Sequence, residues 1–216
     1  MGIRAKAFLM LLFLATTSSF CAGNSSTVSV MVGIFNDAAT PLPVLEFAEQ
    51  EASRIFTAAG LQITWVDCAA RRESVASASC LAPQGPTHLN LRILAYGKKM
   101  KGDSFGVAFL AADGTGAYID VFYDAIEKLH HESGTTPGRL LGHVMAHEIG
   151  HLLLGSHAHS NSGIMCPFWS QRELRSLEMG TMWFTRDQAR TMKSRLSSAA
   201  AVVVADREKF RRSPLQ

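Results

Sequence analysis

His147-Glu148-Ile149-Gly150-His151 is the stretch on which the reading of this 216-residue chain turns. It follows Pro137-Gly138-Arg139-Leu140-Leu141-Gly142-His143-Val144-Met145-Ala146 and leads into Leu152-Leu153-Leu154-Gly155. Leu141, Val144, Met145, Ile149 and Leu152 recur at helical spacing and form an apolar stripe. Pro137 suits a first helical turn and Gly155 a C-terminal stop, so the run is predicted to be a buried helix. Residues four apart on a helix stack on one face, which lets the imidazoles of His147 and His151 hold one Zn²⁺. Glu148 then lies beside the open metal position. There a carboxylate can take a proton from a metal-activated water and return it to a leaving amine. His143, one turn earlier on the same face, is read as a supporting or bystander residue rather than a ligand.

A catalytic zinc site needs a third protein ligand and keeps a fourth position for water. After Gly155 the chain reads Ser156-His157-Ala158-His159-Ser160-Asn161-Ser162-Gly163-Ile164-Met165. This resembles the metzincin peptidases, whose motif is H-E-x-x-H-x-x-G-x-x-H followed by a Met-turn. His157 stands at the spacing of the final histidine. The glycine position, however, holds Leu154, and the glycine comes one residue late as Gly155. A helix one residue longer would deliver His159 instead. The pair His159-Ser160 resembles the His-Ser that closes the motif in matrixins, the metzincin branch to which the chain is most similar. His159 is therefore preferred as the third ligand, with His157 the alternative. Ser162-Gly163-Ile164-Met165-Cys166-Pro167 looks like the Met-turn, and the resemblance implies that Met165 supports the site without binding metal.

Outward from the motif, the chain reads as an α+β domain. Strands are predicted at residues 27–35, 61–66, 88–94, 104–110 and 117–122, with a helix from Pro41 through Ala59. Asp113-Gly114-Thr115-Gly116 makes the turn of a hairpin. A last helix begins after Thr185 as N-cap, with Asp187 in its first turn. The order of these elements resembles a metzincin-like (zincin) catalytic domain: a twisted, mostly parallel sheet with an antiparallel edge strand, a zinc helix and a C-terminal helix. In that family the edge strand pairs main chain to main chain with an extended substrate. Phe105, Gly106, Val107, Ala108, Phe109 and Leu110 would take that role here. The resemblance also implies that Pro167, Phe168, Trp169, Trp183 and Phe184 wall the pocket for the side chain after the scissile bond, favouring an apolar one. The structural zinc and calcium ligands of matrixins are not evident in the sequence.

Residues 1–23 read as a secretory signal: Arg4 and Lys6 precede the apolar run 7–15, which is too short to span a bilayer comfortably. The catalytic domain is assigned to residues 24–204 and a charged C-terminal tail to 205–216. The expected location is extracellular, or periplasmic in a bacterium. No stable membrane insertion is expected after signal cleavage, and the product is expected to be a monomer without a latency propeptide. The formal charge of +3 includes Arg4 and Lys6, so a chain without them carries +1, which argues against electrostatic nucleic-acid binding. Lys98-Lys99-Met100-Lys101 is read as a solvated loop. Export permits disulfides, and Cys68 and Cys80, flanking a polar loop, are the natural pair. Cys166 is left as a small buried residue or a thiol near the metal.

The expected activity is zinc metalloendopeptidase action on a peptide or protein substrate, with Zn²⁺ as cofactor. Two rivals remain open. One is a gluzincin-type site that recruits Glu173 or Glu178 as third ligand. The other is a secreted, zinc-stabilised binding domain without turnover.

Overall fold

Alternating apolar residues set the sheet. Val30, Val32 and Ile34 from Val28–Asn36 (β1), Leu89, Leu91 and Ile93 from His88–Leu94 (β3), and Ile119 and Val121 from Tyr118–Phe122 (β5) are all buried in one core. Leu61–Asp67 (β2) and Gly106–Phe109 (β4) complete five strands in the order β2-β1-β3-β5-β4. The pairs β1–β2, β1–β3 and β3–β5 are parallel, whereas β4 runs antiparallel to β5 and forms the sheet edge. The architecture is thus α+β with a mostly parallel sheet and an antiparallel edge strand, as expected from the sequence. This computed structural model describes residues 28–68, 80, 82–97 and 104–212. Residues 1–23, read above as a secretory signal, and the basic patch from Lys98 to Lys101 lie outside them.

Helix α1 (Leu42–Ala58) buries Leu45, Ala48, Ala52, Ile55 and Phe56, residues three and four apart, in that core. It packs against α3 (Pro137–Leu154). Every residue of α3 from Leu140 to Leu153 is buried, so this helix is embedded on all sides. Leu140, Leu141, Met145 and Ile149 are fully buried, each contributing roughly 1.5–3 kcal/mol of transfer free energy. That packing makes the helix a rigid mount for the polar residues it carries.

Two helices lie outside the elements predicted above. Tyr123–Ser133 (α2) buries only Tyr123 and Ile126, too thin a stripe to show as a period, and stops at Gly134 in the left-handed conformation. Gln171–Glu178 (α4) is eight residues long and is fixed by a capping box between Ser170 and Glu173. The predicted strand at 104–110 shortens to β4. The last helix, Arg186–Arg212 (α5), continues past residue 204 into the segment read as a charged tail.

Cys68 and Cys80 are joined in a disulfide across twelve positions of sequence. Closing a loop of that size restricts the unfolded chain, so replacing both cysteines with serine should lower stability by about 3 kcal/mol. Urea unfolding in the absence of reductant measures it. An unchanged midpoint would mean that the bond adds no net constraint.

Candidate metal centre

His147 and His151 project from one face of α3 with their Nε2 atoms 3.1 Å apart. Nδ1 of His147 lies 2.7 Å from the Ile164 carbonyl oxygen, and Nδ1 of His151 lies 2.8 Å from that of Ser156. A carbonyl can only accept, so each Nδ1 carries the proton and each Nε2 presents a lone pair. Burial pushes the His147 imidazole down to about 4 and lowers that of His151, so both rings are neutral at pH 7. Two lone pairs facing each other at that distance repel unless a cation accepts both. This is the arrangement a divalent metal fits.

The chain after α3 supplies the third member. Gly155 caps the helix at φ 65°, the left-handed region that favours glycine. Because this glycine comes one residue late, the returning arm brings His159, not His157, onto the pair. The His159 ring centroid lies 5.3 Å from that of His147 and 4.8 Å from that of His151. One ligand atom from each of the three lies within 4.8 Å of the others, and partial desolvation of the His159 ring, with His157 beside it, lowers its pKa as well. Three neutral imidazoles are a donor set suited to Zn²⁺. His157 tilts against His151 at 6.0 Å, lines the same cleft and is not part of the trio.

Met165 lies beneath the helix, where Gly150 makes room for it. A Cβ at Gly150 would stand 2.7 Å from the Met165 Sδ and 2.8 Å from a Phe184 ring carbon. Overpacking of this kind costs about 1–3 kcal/mol, so Gly150→Ala should lower the melting temperature and loosen metal binding together. A variant equal to wild type in both would show that Met165 and Phe184 yield freely.

Glu148 faces the sheet edge. A Cβ on Gly106 of β4 would stand 2.8 Å from Glu148 Cγ, 3.0 Å from its Oε1 and 2.9 Å from the Asp120 carbonyl oxygen. Burial pushes the Glu148 carboxyl up to about 8, opposed by a hydrogen bond from the Ala108 backbone. The cleft between β4 and α3 encloses about 370 Å³, with Phe105, Gly106, Cys166, Pro167, Phe168 and Trp169 along its walls beside the histidines. Phe105 stacks on Trp169 with centroids 5.7 Å apart, joining the two walls.

Other candidates lie elsewhere. Trp183 and Phe184 do not line the cleft: Phe184 packs on Phe56 at 5.2 Å, and Trp183 lies under the Arg54 guanidinium. Glu173 is committed to Ser170 and Arg172, and Glu178 accepts from Thr135, so neither stands with the histidines. His143 is fully buried, donates from Nδ1 to the Arg139 carbonyl and is held neutral by burial. Cys166 is buried, with Sγ 3.3 Å from the Phe168 carbonyl oxygen. The close fit of Gly106 on Glu148 and the orienting carbonyls of Ile164 and Ser156 were not read from the sequence. The first joins residues far apart in the chain, and main-chain carbonyls leave no signal.

Residues 96–181 match the model of the peptidase family described as Matrixin, a span that includes the histidine motif and the Met-turn. A zinc-dependent peptidase from Methanocorpusculum labreanum is similar in structure, at 14% identity and a TM-score of 0.49, covering 74% of this chain and 99% of the other. Archaemetzincin from Methanopyrus kandleri is similar at 15% identity and a TM-score of 0.45, covering 82% and 99%. No curated protein sequence matches the chain.

Proposed function

We propose that this divergent metzincin-like zinc peptidase is a secreted endopeptidase that cuts internal bonds of an extended peptide. In this reading His147, His151 and His159 hold the metal and Glu148 moves the proton. The observation that carries it is the placement of Glu148, packed against the edge strand in the cleft that holds the histidine trio. Zn²⁺, when bound, supplies the positive charge that acidifies a water and polarises a carbonyl.

Glu148 accepts the proton as the water attacks and delivers it to the departing amine. Its buried position raises its affinity for that proton, and the Ala108 backbone hydrogen bond acts against that rise. Among the described residues β4 pairs only with β5, so its outer edge offers backbone groups to a substrate strand. A strand laid along an edge extends in both directions from the cut, which suits an endopeptidase.

Gly106 sets the distance between that edge and Glu148. Gly106→Ala should lower kcat/KM by about 100-fold, the effect of an approximately 1 Å displacement of a reacting group, while zinc content is kept. Peptide hydrolysis alongside metal analysis checks it, and wild-type turnover would show that Glu148 is not held by the edge strand.

Residues 1–23 act in this reading as the export signal of a catalytic domain spanning 24–204. No helix among the described residues is long and apolar enough to cross a membrane. The test of endopeptidase action uses fluorogenic peptides blocked at both ends. Chelator-sensitive cleavage of blocked peptides supports it, and cleavage restricted to peptides with a free terminus contradicts it.

A further inference from the structure

The arm that carries His159, residues 156–162, has neither helix nor strand, and His159 itself is exposed. A ligand on irregular chain needs an external clasp to hold its position. Helix α5 provides one at its first turn. Thr185 Oγ1 accepts the Gln188 backbone N–H at 3.2 Å, and Gln188 Oε1 accepts the Thr185 backbone N–H at 2.9 Å. Thr185 N–H can only donate, so the Gln188 amide oxygen must face it and the amide nitrogen must face the other way. That nitrogen lies 3.3 Å from Ser160 Oγ, which itself donates to the Ser162 carbonyl at 2.8 Å. The hydrogen bonds therefore run in one direction, from Gln188 through Ser160 to Ser162.

The same corner reaches His147. The Trp183 carbonyl accepts from Ile164 N–H at 3.0 Å, and the Ile164 carbonyl accepts from His147 Nδ1 at 2.7 Å. Ser160 N–H closes the loop by donating to the Met165 carbonyl at 2.9 Å. We propose that Gln188 is a positioning residue for the metal: through Ser160 it fixes the arm that presents His159. This rests on the assignment of His159 as a ligand.

The decisive variant is Gln188→Glu. It keeps an acceptor for Thr185 and places an acid favourably in the first helical turn, but it offers no N–H to Ser160, whose hydroxyl can meet the carboxylate only by giving up its bond to the Ser162 carbonyl. Zinc affinity, measured by chelator competition at pH 7, should fall by about tenfold, the lower end for loss of an outer-shell partner. The visible absorption of the Co²⁺-substituted protein should change, and the melting temperature of the metal-free protein should not. Ser160→Ala should lose a similar factor. The double variant should lose no more than either single change, because both act through one contact.

Wild-type affinity and Co²⁺ spectrum in Gln188→Glu would overturn the proposal. So would losses that add fully in the double variant, or a metal-free melting temperature that falls in parallel, which would leave Gln188 only a helix cap. A wild-type protein that binds no zinc would instead overturn the ligand assignment itself.

Discussion

His159→Ala should weaken zinc binding by more than about 100-fold, beyond the range for removing an outer-shell partner, and His157→Ala should leave it near the wild-type value. The two residues are separated by one position and share the cleft, yet only His159 places a ring nitrogen with those of His147 and His151. A site reduced to two imidazoles loses the closure that selects a tetrahedral ion. Chelator competition on the purified variants measures both affinities. Retained affinity in His159→Ala with loss in His157→Ala would reverse the assignment. It would also mean that the arm after Gly155 repacks when metal enters.

Glu148→Ala should lower kcat/KM by about 10²–10⁴, the span of general acid–base contributions, with zinc still bound at wild-type stoichiometry. Glu148 is not among the three residues whose ligand atoms converge, so its removal leaves the donor set whole. Folding should not suffer, because the substitution takes an ionisable group out of a buried position where its charged form is disfavoured. Metal analysis and thermal melting separate this result from a loss of zinc. Turnover within severalfold of wild type would remove Glu148 from the reaction.

How much of this was legible in the sequence differs from element to element. The pair His147 and His151 with Glu148 between them was readable because a helix converts spacing into geometry without help from the rest of the chain. The choice between His157 and His159 was not decided by spacing. It depends on where the helix stops, and Leu154 at the expected glycine position moves that stop by one residue. The five strands were visible from alternation and turn residues, and the Cys68–Cys80 pair from the polar loop between its members. Helix α2 leaves no mark in the sequence, and α4 shows only as the helix-like run Arg172-Glu173-Leu174-Arg175, for different reasons. One buries too little to show a period, and the other is too short to show one, although its Ser170-x-x-Glu173 signature was present.

The walls of the cleft were read only in part. Pro167, Phe168 and Trp169 line it, whereas Trp183 and Phe184, equally aromatic, turn toward the core. Composition cannot distinguish those faces, since both kinds of residue lie on irregular chain without periodicity. Gly106 shows the same limit from the other side. Its fit against Glu148 joins residues 42 positions apart, and no local pattern records such a contact.

The most direct measurement is digestion of a diverse peptide library by the zinc-loaded protein, with Glu148→Ala as control and cut sites mapped by mass spectrometry. A zinc endopeptidase with Glu148 as its proton carrier predicts internal cuts that vanish in the variant. No cuts by a protein that holds zinc, or the same cuts from both proteins, would contradict it.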